Sequence, residues 1–354
     1  MKTRLTSVIY SLAIGFLLML NACTEDFEVN APYQDIWAVY GVLNQNRDVQ
    51  TIRVSKAFQP ESNAFTFARE NDLSVKGLQV QLLGNGKVYM ARQVDNLPKD
   101  STRGTFFPTM TAYQFDTHAD DRLVEGEIYT LEIRDPADSS LFLSAQTRIP
   151  PQPELLNPTI IGRFTDQCLI PLEFEDSVQV IFKEKRKEVI GLAAGYEVSV
   201  NFSFTANGQD RNYQFGPTKI FDESTGCGAG GTGVVCYEIG NGAVMRGMQA
   251  AFRDTTLAYS YQAFPTCGVP GDLTKAIEVR VTAVDTFLTR YILANNPAFT
   301  SFNTVRREYT NVSGTERAVG IFGSVAFDQV PVSMTACGEY LLGLNPFNPP
   351  GNCN

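Results

Sequence analysis

Gly126-Glu-Ile-Tyr-Thr-Leu-Glu-Ile-Arg134 decides the fold class. From Ile128 onward the residues alternate. Tyr129, Leu131 and Ile133 fall on one side, and Ile128, Thr130, Glu132 and Arg134 on the other. A period of two marks a half-buried strand. Six more runs of this kind lie around it: Ile36–Leu43, Thr51–Phe58, Val75–Leu83, Lys87–Arg92, Thr111–Phe115 and Leu141–Arg148. Asn85-Gly86 separates two of them, and both residues tolerate the positive φ of a two-residue hairpin turn. Seven short strands between residues 36 and 148 predict a β-sandwich of immunoglobulin-like size. The Cys…Trp…Cys spacing of true immunoglobulin domains is absent, so only the architecture is implied.

Ile149-Pro-Pro-Gln-Pro153 closes this block. Proline fixes φ and removes a donor, so residues 150–154 read as a stiff, Pro-rich linker. Strand-like runs resume at Ile170–Glu175, Val178–Phe182, Tyr196–Thr205, Val234–Ile239, Leu257–Phe264, Ala276–Val284 and Val319–Ala326. One short helix is expected over Asp285–Ala294. Asp285 suits an N-cap, Phe287, Tyr291 and Leu293 give partial helical spacing, and Pro297 stops it. No repeat has a fixed short period, and no long helical pattern marks an α-solenoid. The expectation is an all-β chain of two tandem immunoglobulin-like β-sandwich domains, 33–149 and 155–336. The second carries the short helix and a Gly/Cys-rich insert at 222–242, and a Cys-bounded tail follows at 337–354.

Composition bounds the function. The 354 residues carry 29 basic and 38 acidic side chains, a formal charge of −9, with 44% hydrophobic and 11% aromatic residues. Such a chain can bury a core and is not disordered throughout. An acidic balance lacks the basic footprint that displaces counterions, so no nucleic-acid partner is expected. His118 is the single histidine, which excludes mechanisms and zinc sites built on two.

Residues 1–22 read as a lipoprotein signal peptide. Lys2 and Arg4 precede an apolar run from Val8 to Leu20, too short for the roughly 20 residues that cross a bilayer core. The segment ends Leu20-Asn21-Ala22-Cys23, which resembles the bacterial lipobox, in which the cysteine becomes the lipidated N-terminus. A plain signal peptide with Cys23 as a disulfide partner is the alternative. Cleavage before Cys23 removes Lys2 and Arg4 and no acidic residue, taking the charge from −9 to −11. Two or three acyl chains anchor stably, since each buried methylene contributes about 0.8 kcal/mol. The mature chain is therefore expected to be tethered to the membrane through Cys23. Residues 23–32 form an acidic tether. Thr24-Glu-Asp-Phe-Glu28 resembles the surface-export signal of Bacteroidota lipoproteins, which implies an outward-facing position. A solvated linker and a periplasm-facing protein are the alternatives.

Six other cysteines, Cys168, Cys227, Cys236, Cys267, Cys337 and Cys353, all lie in the second half. An even number in an exported chain suggests disulfides, with 15 connectivities open. Cys227 and Cys236 flank a short Gly-rich loop and suit a local bridge, and Cys337 with Cys353 could staple the tail. Each bridge contributes about 2–4 kcal/mol. No CxxC pair exists, so a structural zinc site is not expected.

Three stretches carry a resemblance. The first is Trp37-Ala-Val-Tyr-Gly-Val-Leu43, followed by Ile52-Arg-Val-Ser-Lys56. The second is Gly126-Glu-Ile-Tyr-Thr-Leu-Glu-Ile133, followed by Ala145-Gln-Thr-Arg-Ile-Pro150. The third is Thr310-Asn-Val-Ser-Gly314, followed by Gly320-Ile-Phe-Gly323. In order, with the lipobox, they resemble a Bacteroidota outer-membrane surface lipoprotein family of unknown function, often encoded beside TonB-dependent receptors. The resemblance implies an outer-membrane lipoprotein with tandem β-sandwich domains, and it supplies no catalytic residues. The 226–242 insert is not expected of every member.

The remaining motifs point weakly to chemistry. Gly228-Ala-Gly-Gly-Thr-Gly233 matches GxGxxG, but a dinucleotide site needs a strand before it and a helix after it, and Val234-Val-Cys-Tyr237 reads as a strand. An exposed loop closed by cysteines is the better reading. Asp116, His118, Asp120 and Asp121 cluster as a weak cation site or a His–Asp acid/base pair, against the plainer reading of a polar loop. No GxSxG elbow offers a serine to His118. Glu173, Glu175 and Asp176 could pair as glycosidase carboxylates, though Glu173 and Glu175 alternate with Leu172 and Phe174 as polar-out strand residues do. Lys183-Glu-Lys-Arg-Lys187, diluted by Glu184 and Glu188, reads as a solvated hairpin rather than a polyanion site. Trp37 is expected in the core, and Phe106-Phe107-Pro108 as an exposed apolar patch. The tail Leu344–Gly351 is loop-like. No catalytic residue, metal ligand or cofactor is assigned. The function expected is a non-enzymatic binding or accessory module at the outer-membrane surface, working with a TonB-dependent transporter or an extracellular ligand. A glycan- or peptide-binding adhesin is the alternative, and a carboxylate hydrolase a more remote one.

Overall fold

Tyr129, Leu131 and Ile133 are each at most 1% exposed, so the alternation in the deciding stretch is a buried face and an open face. The computed structural model describes residues 35–58, 63–99, 107–157, 177–184, 193–220, 234–240, 244, 246–247, 250, 259–260, 277–295, 309–314 and 317–332. In chain order the first half contributes β1 (Trp37–Asn44), β2 (Val49–Lys56), α1 (Ala64–Glu70), β3 (Gln79–Gly84), β4 (Lys87–Met90), β5 (Arg92–Pro98), β6 (Thr109–Asp116), β7 (Ile128–Asp135) and β8 (Asp138–Arg148). The second half contributes β9 (Pro153–Asn157), β10 (Ser177–Glu184), β11 (Gly195–Ala206), β12 (Gln209–Ile220), β13 (Val234–Gly240), β14 (Tyr259–Ser260), β15 (Ile277–Val284), α2 (Thr286–Asn295) and β16 (Ala318–Val332).

The architecture is all-β and sandwich-like, as the alternation predicts. Among the described residues, β12-β11-β15-β16-β1-β2-β6-β5 form one continuous sheet, with β14 paired to β11. A second sheet runs β4-β3-β7-β8 and a third β13-β10-β9. The first hydrophobic core lies between the large sheet and the second one. It is built from Val39, Ile52, Val54, Tyr113 and Phe115 on one side and Val80, Leu82, Tyr129, Leu131 and Leu143 on the other. The second core lies between the large sheet and the third, with Val198, Val200, Phe202, Val279 and Val281 facing Val180, Phe182, Val235 and Ile239. Two sandwiches thus share one face.

The shared face depends on β16, the longest strand described. Its first half pairs in parallel with β1, Trp37 opposite Ala318 through Asn44 opposite Val325. Its second half pairs antiparallel with β15, Val284 opposite Val325 through Ile277 opposite Val332. Ala318 and Phe322 belong to the first core and Val330 to the second. A strand far from β1 in sequence therefore completes the first sandwich.

The expected linker, residues 150–154, joins β8 to β9 and packs against β16. Pro150, Pro151 and Pro153 are buried, and Pro153 opens β9. Gln152 Nε2 donates to the Phe327 carbonyl (3.1 Å), and the Leu155 amide donates to Asp328 Oδ2 (3.0 Å). Proline is tolerated because β9 is an edge strand, where a missing donor costs no ladder bond.

Other expectations hold with shifted ends. Asn85 and Gly86 have φ of 50° and 69°, and Gly84 faces Lys87, so the predicted hairpin forms between β3 and β4. The helix expected at Asp285–Ala294 is α2, and Asp285 caps it through Phe287 N (3.2 Å) and Leu288 N (3.0 Å). Trp37 is 8% exposed, with Lys56 Nζ 4.6 Å above its ring. Three elements besides β9 were not anticipated. α1 is capped by Asn63, whose side chain accepts from Phe65 N and Thr66 N. β5 begins at Arg92, where one run was expected to end. β12 completes a hairpin with β11 across Asn207-Gly208, φ 49° and 74°. The runs at Ile170–Glu175 and most of Leu257–Phe264 lie outside the described residues.

Candidate functional site

The three resemblance stretches are distant in sequence and meet in space. Trp37–Leu43 is β1, Ala145–Pro150 ends β8, and Gly320–Gly323 lies in β16. Asn311 joins the latter two. Its Nδ2 donates to the carbonyls of Gln146 (3.0 Å) and Phe322 (2.7 Å), and its Oδ1 accepts from Phe322 N (2.9 Å). Ser313 and Ser144 exchange both backbone hydrogen bonds at 2.8 Å. Glycine is required at two points. Gly320 has φ 127°, and a Cβ there would lie 1.9 Å from the Val39 carbonyl oxygen. At Gly323 a Cβ would lie 2.7 Å from Leu288 Cβ, so its absence lets α2 close onto β16. Asp285 then reaches β16, its Oδ1 accepting from Ser324 N (3.2 Å). These motifs build the join between the sandwiches.

The predicted cation cluster is rearranged by its neighbours. Lys87 Nζ lies 2.8 Å from Asp121 Oδ1 and 2.7 Å from the Asp120 carbonyl. Hydrogen bonding and charge from Lys87 hold the Asp121 carboxyl below its usual range. Arg92 Nε lies 3.7 Å from Asp116 Oδ2. Side chains of β4 and β5 therefore pair with two of the cluster's carboxylates, Asp121 and Asp116. Residues Ala119–Asp121 form a single 3-10 turn, with His118 exposed. Among the described residues no group of three or more His, Cys, Asp or Glu is arranged to hold a metal ion.

A depression of about 350 Å³ opens beside the β1–β2 turn, lined by Val42, Asn44, Arg47, Val49, Gln50, Thr51 and Val325. Val42 and Val49 are 39% and 38% exposed, a large fraction for valine. Its floor is Gln50, 1% exposed, whose Nε2 lies 3.0 Å from the Asn44 carbonyl, 2.8 Å from the Arg47 carbonyl and 2.9 Å from Thr117 Oγ1. Gln50 Oε1 accepts from Asn44 N (2.7 Å). A polar residue inside an alternating run was the available signal for this turn. The depression offers an apolar wall and a guanidinium to a small group, and no reacting pair.

Cys236 is buried, 5% exposed, in β13. Val234 opens that strand, so a strand and not a helix follows Gly228–Gly233. Phe107 is half-buried and donates its amide to the Ala68 carbonyl (2.9 Å); among the described residues the exposed phenylalanine is Phe65 of α1, at 73%. Lys183 Nζ lies 3.5 Å from Glu154 Oε2 across β10 and β9. Cys23, Cys168, Cys227, Cys267, Cys337, Cys353, Phe106, Glu173, Glu175, Asp176 and the tail lie outside the described residues. Among those described, no helix is long and apolar enough to cross a membrane.

The family described as domain of unknown function DUF4249 matches residues 24–329. The chain belongs to the DUF4249 family. The DUF4249 match covers both sandwiches, β1 through most of β16, so the family unit includes the join between them. No curated protein matches the chain.

Proposed function

We propose that this DUF4249 protein is a lipid-anchored binding or accessory module of the outer membrane, facing outward, whose partner is a TonB-dependent transporter or an extracellular ligand. The observation that carries the reading is Leu20-Asn-Ala-Cys23 at the end of an apolar run behind Lys2 and Arg4. The family match beginning at residue 24, directly beyond Cys23, supports it. So do the acidic residues Glu25, Asp26 and Glu28 and the six cysteines of the second half, which suit an oxidising compartment. We include in the proposal that Cys227 and Cys236 form one bridge and Cys337 and Cys353 another. The protein acts by contact and not by catalysis.

Intact mass of the membrane-extracted protein tests the anchor. The expected species begins at Cys23, carries two or three acyl chains, and reverts to an unprocessed precursor in Cys23→Ser. A mature N-terminus without acyl chains rejects the proposal. Cross-linking in native membranes then identifies the partner, and proteinase treatment of intact cells reads the orientation. A second reading, capture of a peptide or glycan, is favoured by the valine-walled depression with Arg47 at its edge. Substituting Val42 and Val49 by Asp abolishes ligand retention on that reading and leaves transporter cross-linking intact.

A further inference from the structure

Along the join runs a series of oxygens whose protons can be counted. Asp285 Oδ2 lies 3.0 Å from Thr147 Oγ1. Thr147 Oγ1 lies 2.9 Å from Ser324 Oγ. Ser324 Oγ lies 2.6 Å from the Arg148 carbonyl oxygen. Three oxygen–oxygen contacts of hydrogen-bond length take three protons. The two hydroxyls supply two, and the carbonyl supplies none. With Asp285 ionised, Thr147 donates to the carboxylate and Ser324 to the carbonyl. The Thr147–Ser324 contact then sets two lone pairs together at 2.9 Å between two buried side chains, Thr147 being 1% exposed and Ser324 fully buried. With a proton on Oδ2, each oxygen donates to the next, from Asp285 to Thr147, to Ser324, to Arg148. The backbone contacts tolerate this state, since Oδ1 keeps Leu288 N and Ser324 N while Oδ2 still accepts from Phe287 N.

We propose that Asp285 is a buried proton switch: protonated, it completes a relay of oxygens that ties α2 and β16 to β8 across the two sandwiches, and its deprotonation weakens that tie. Burial pushes the Asp285 carboxyl above its ordinary value against the hydrogen bonds that pull it down, and no charged neighbour contributes. The titratable and charged groups on the surrounding elements are otherwise engaged or exposed. On β8, Arg148 donates to the Gly126 carbonyl (3.0 Å). On β15, Arg280 and Glu278 pair at 3.5 Å. On β16, Asp328 accepts from Leu155 N. On α2, Arg290 is exposed, and Tyr291 is raised by burial and by Tyr40 of β1.

Because the folded state holds this proton more tightly than the unfolded one, its contribution to stability is complete below the ordinary Asp value of 3.8 and is lost as pH rises through the folded value. Carbon-13 NMR of the full chain labelled at aspartate Cγ measures it directly. One carboxyl titrates above the ordinary aspartate range, and its resonance is absent in Asp285→Asn. Should Asp285→Asn fail to fold, the same resonance is assigned by its displacement in Thr147→Val. All aspartates titrating in or below the ordinary range overturns the proposal. The second readout is equilibrium unfolding between pH 4 and 8. Asparagine has no proton to lose in this range, so Asp285→Asn lacks the wild type's loss of stability with rising pH, a difference of at most tenfold in the unfolding constant per pH unit. Equal pH slopes for wild type and variant also overturn it.

Discussion

Gly320 is the residue on which the parallel pairing of β1 with β16 turns. Its φ of 127° is open to glycine and strained for any other residue, and a Cβ would meet backbone, which cannot swing aside. Gly320→Ala is expected to lower stability by about 2–4 kcal/mol in chemical denaturation, the range of backbone and packing lesions. Tyr129 is a different kind of residue. It is fully buried, its hydroxyl accepts from Val124 N (2.9 Å), and burial pushes its pKa up to about 12. The folded state therefore binds the phenolic proton more tightly than the unfolded chain, in which it leaves near 10.0. Stability falls as pH climbs from about 10 toward about 12. Absorbance titration of the folded protein shows tyrosine ionisation extending to about pH 12, and Tyr129→Phe reduces its most alkaline part. The role of Gly320 was not legible in the sequence, because its requirement comes from Val39, 281 residues upstream. Tyr129 was legible as a core residue, since it sits in phase with Leu131 and Ile133.

Hairpins and edges are decided at the scale of the element. Asn85-Gly86 and Asn207-Gly208 are the same chemical statement, two residues at positive φ between paired strands. Only the first was anticipated, because alternating runs on both sides flagged it. Around Asn207 the partner strand, Gln209–Ile220, is rich in Asn, Gln, Asp and Arg and hides its period. Gly208→Ala is expected to cost about 1 kcal/mol, because alanine resists the φ of 74°. Loss of the β11–β12 pairing in such a variant appears first as faster amide exchange in β12, which is the end strand of the large sheet. Helix α1 escaped notice for a related reason. At seven residues it is too short to display a helical period, and its one clear signal is the Asn63 cap. At residues 150–154 proline signals only what a backbone cannot do. It does not say whether the chain is exposed or, as here, buried against β16.

Sharing one sheet face makes the two sandwiches a single mechanical unit at the scale of the molecule. Val312, Ala318 and Phe322 fill the first core from the far end of the chain. Burying one large apolar side chain contributes about 1.5–3 kcal/mol, comparable to a sizeable part of the whole stability of a domain. A fragment ending at residue 149 lacks β16 and these three residues. It is expected to lack the near-ultraviolet signal of a packed core, whereas the chain through residue 332 unfolds in one calorimetric transition. Two separated transitions would show that the shared strand does not couple the halves.

By itself the sequence determined the class of fold, the strands with clean alternation, the Asn85-Gly86 turn, the cap of α2 and the acidic, histidine-poor character that bounds function. Each of these rests on local chemistry, whether the two-residue period of a strand, the φ tolerance of a turn residue or a carboxyl placed before a helix. Only the tertiary structure decided that β16 crosses from one core to the other, that Lys87 and Arg92 occupy the acidic cluster, and that Asp285, Thr147 and Ser324 meet. Those facts depend on contacts between residues 24 to 281 positions apart, and no local period or motif encodes such a distance.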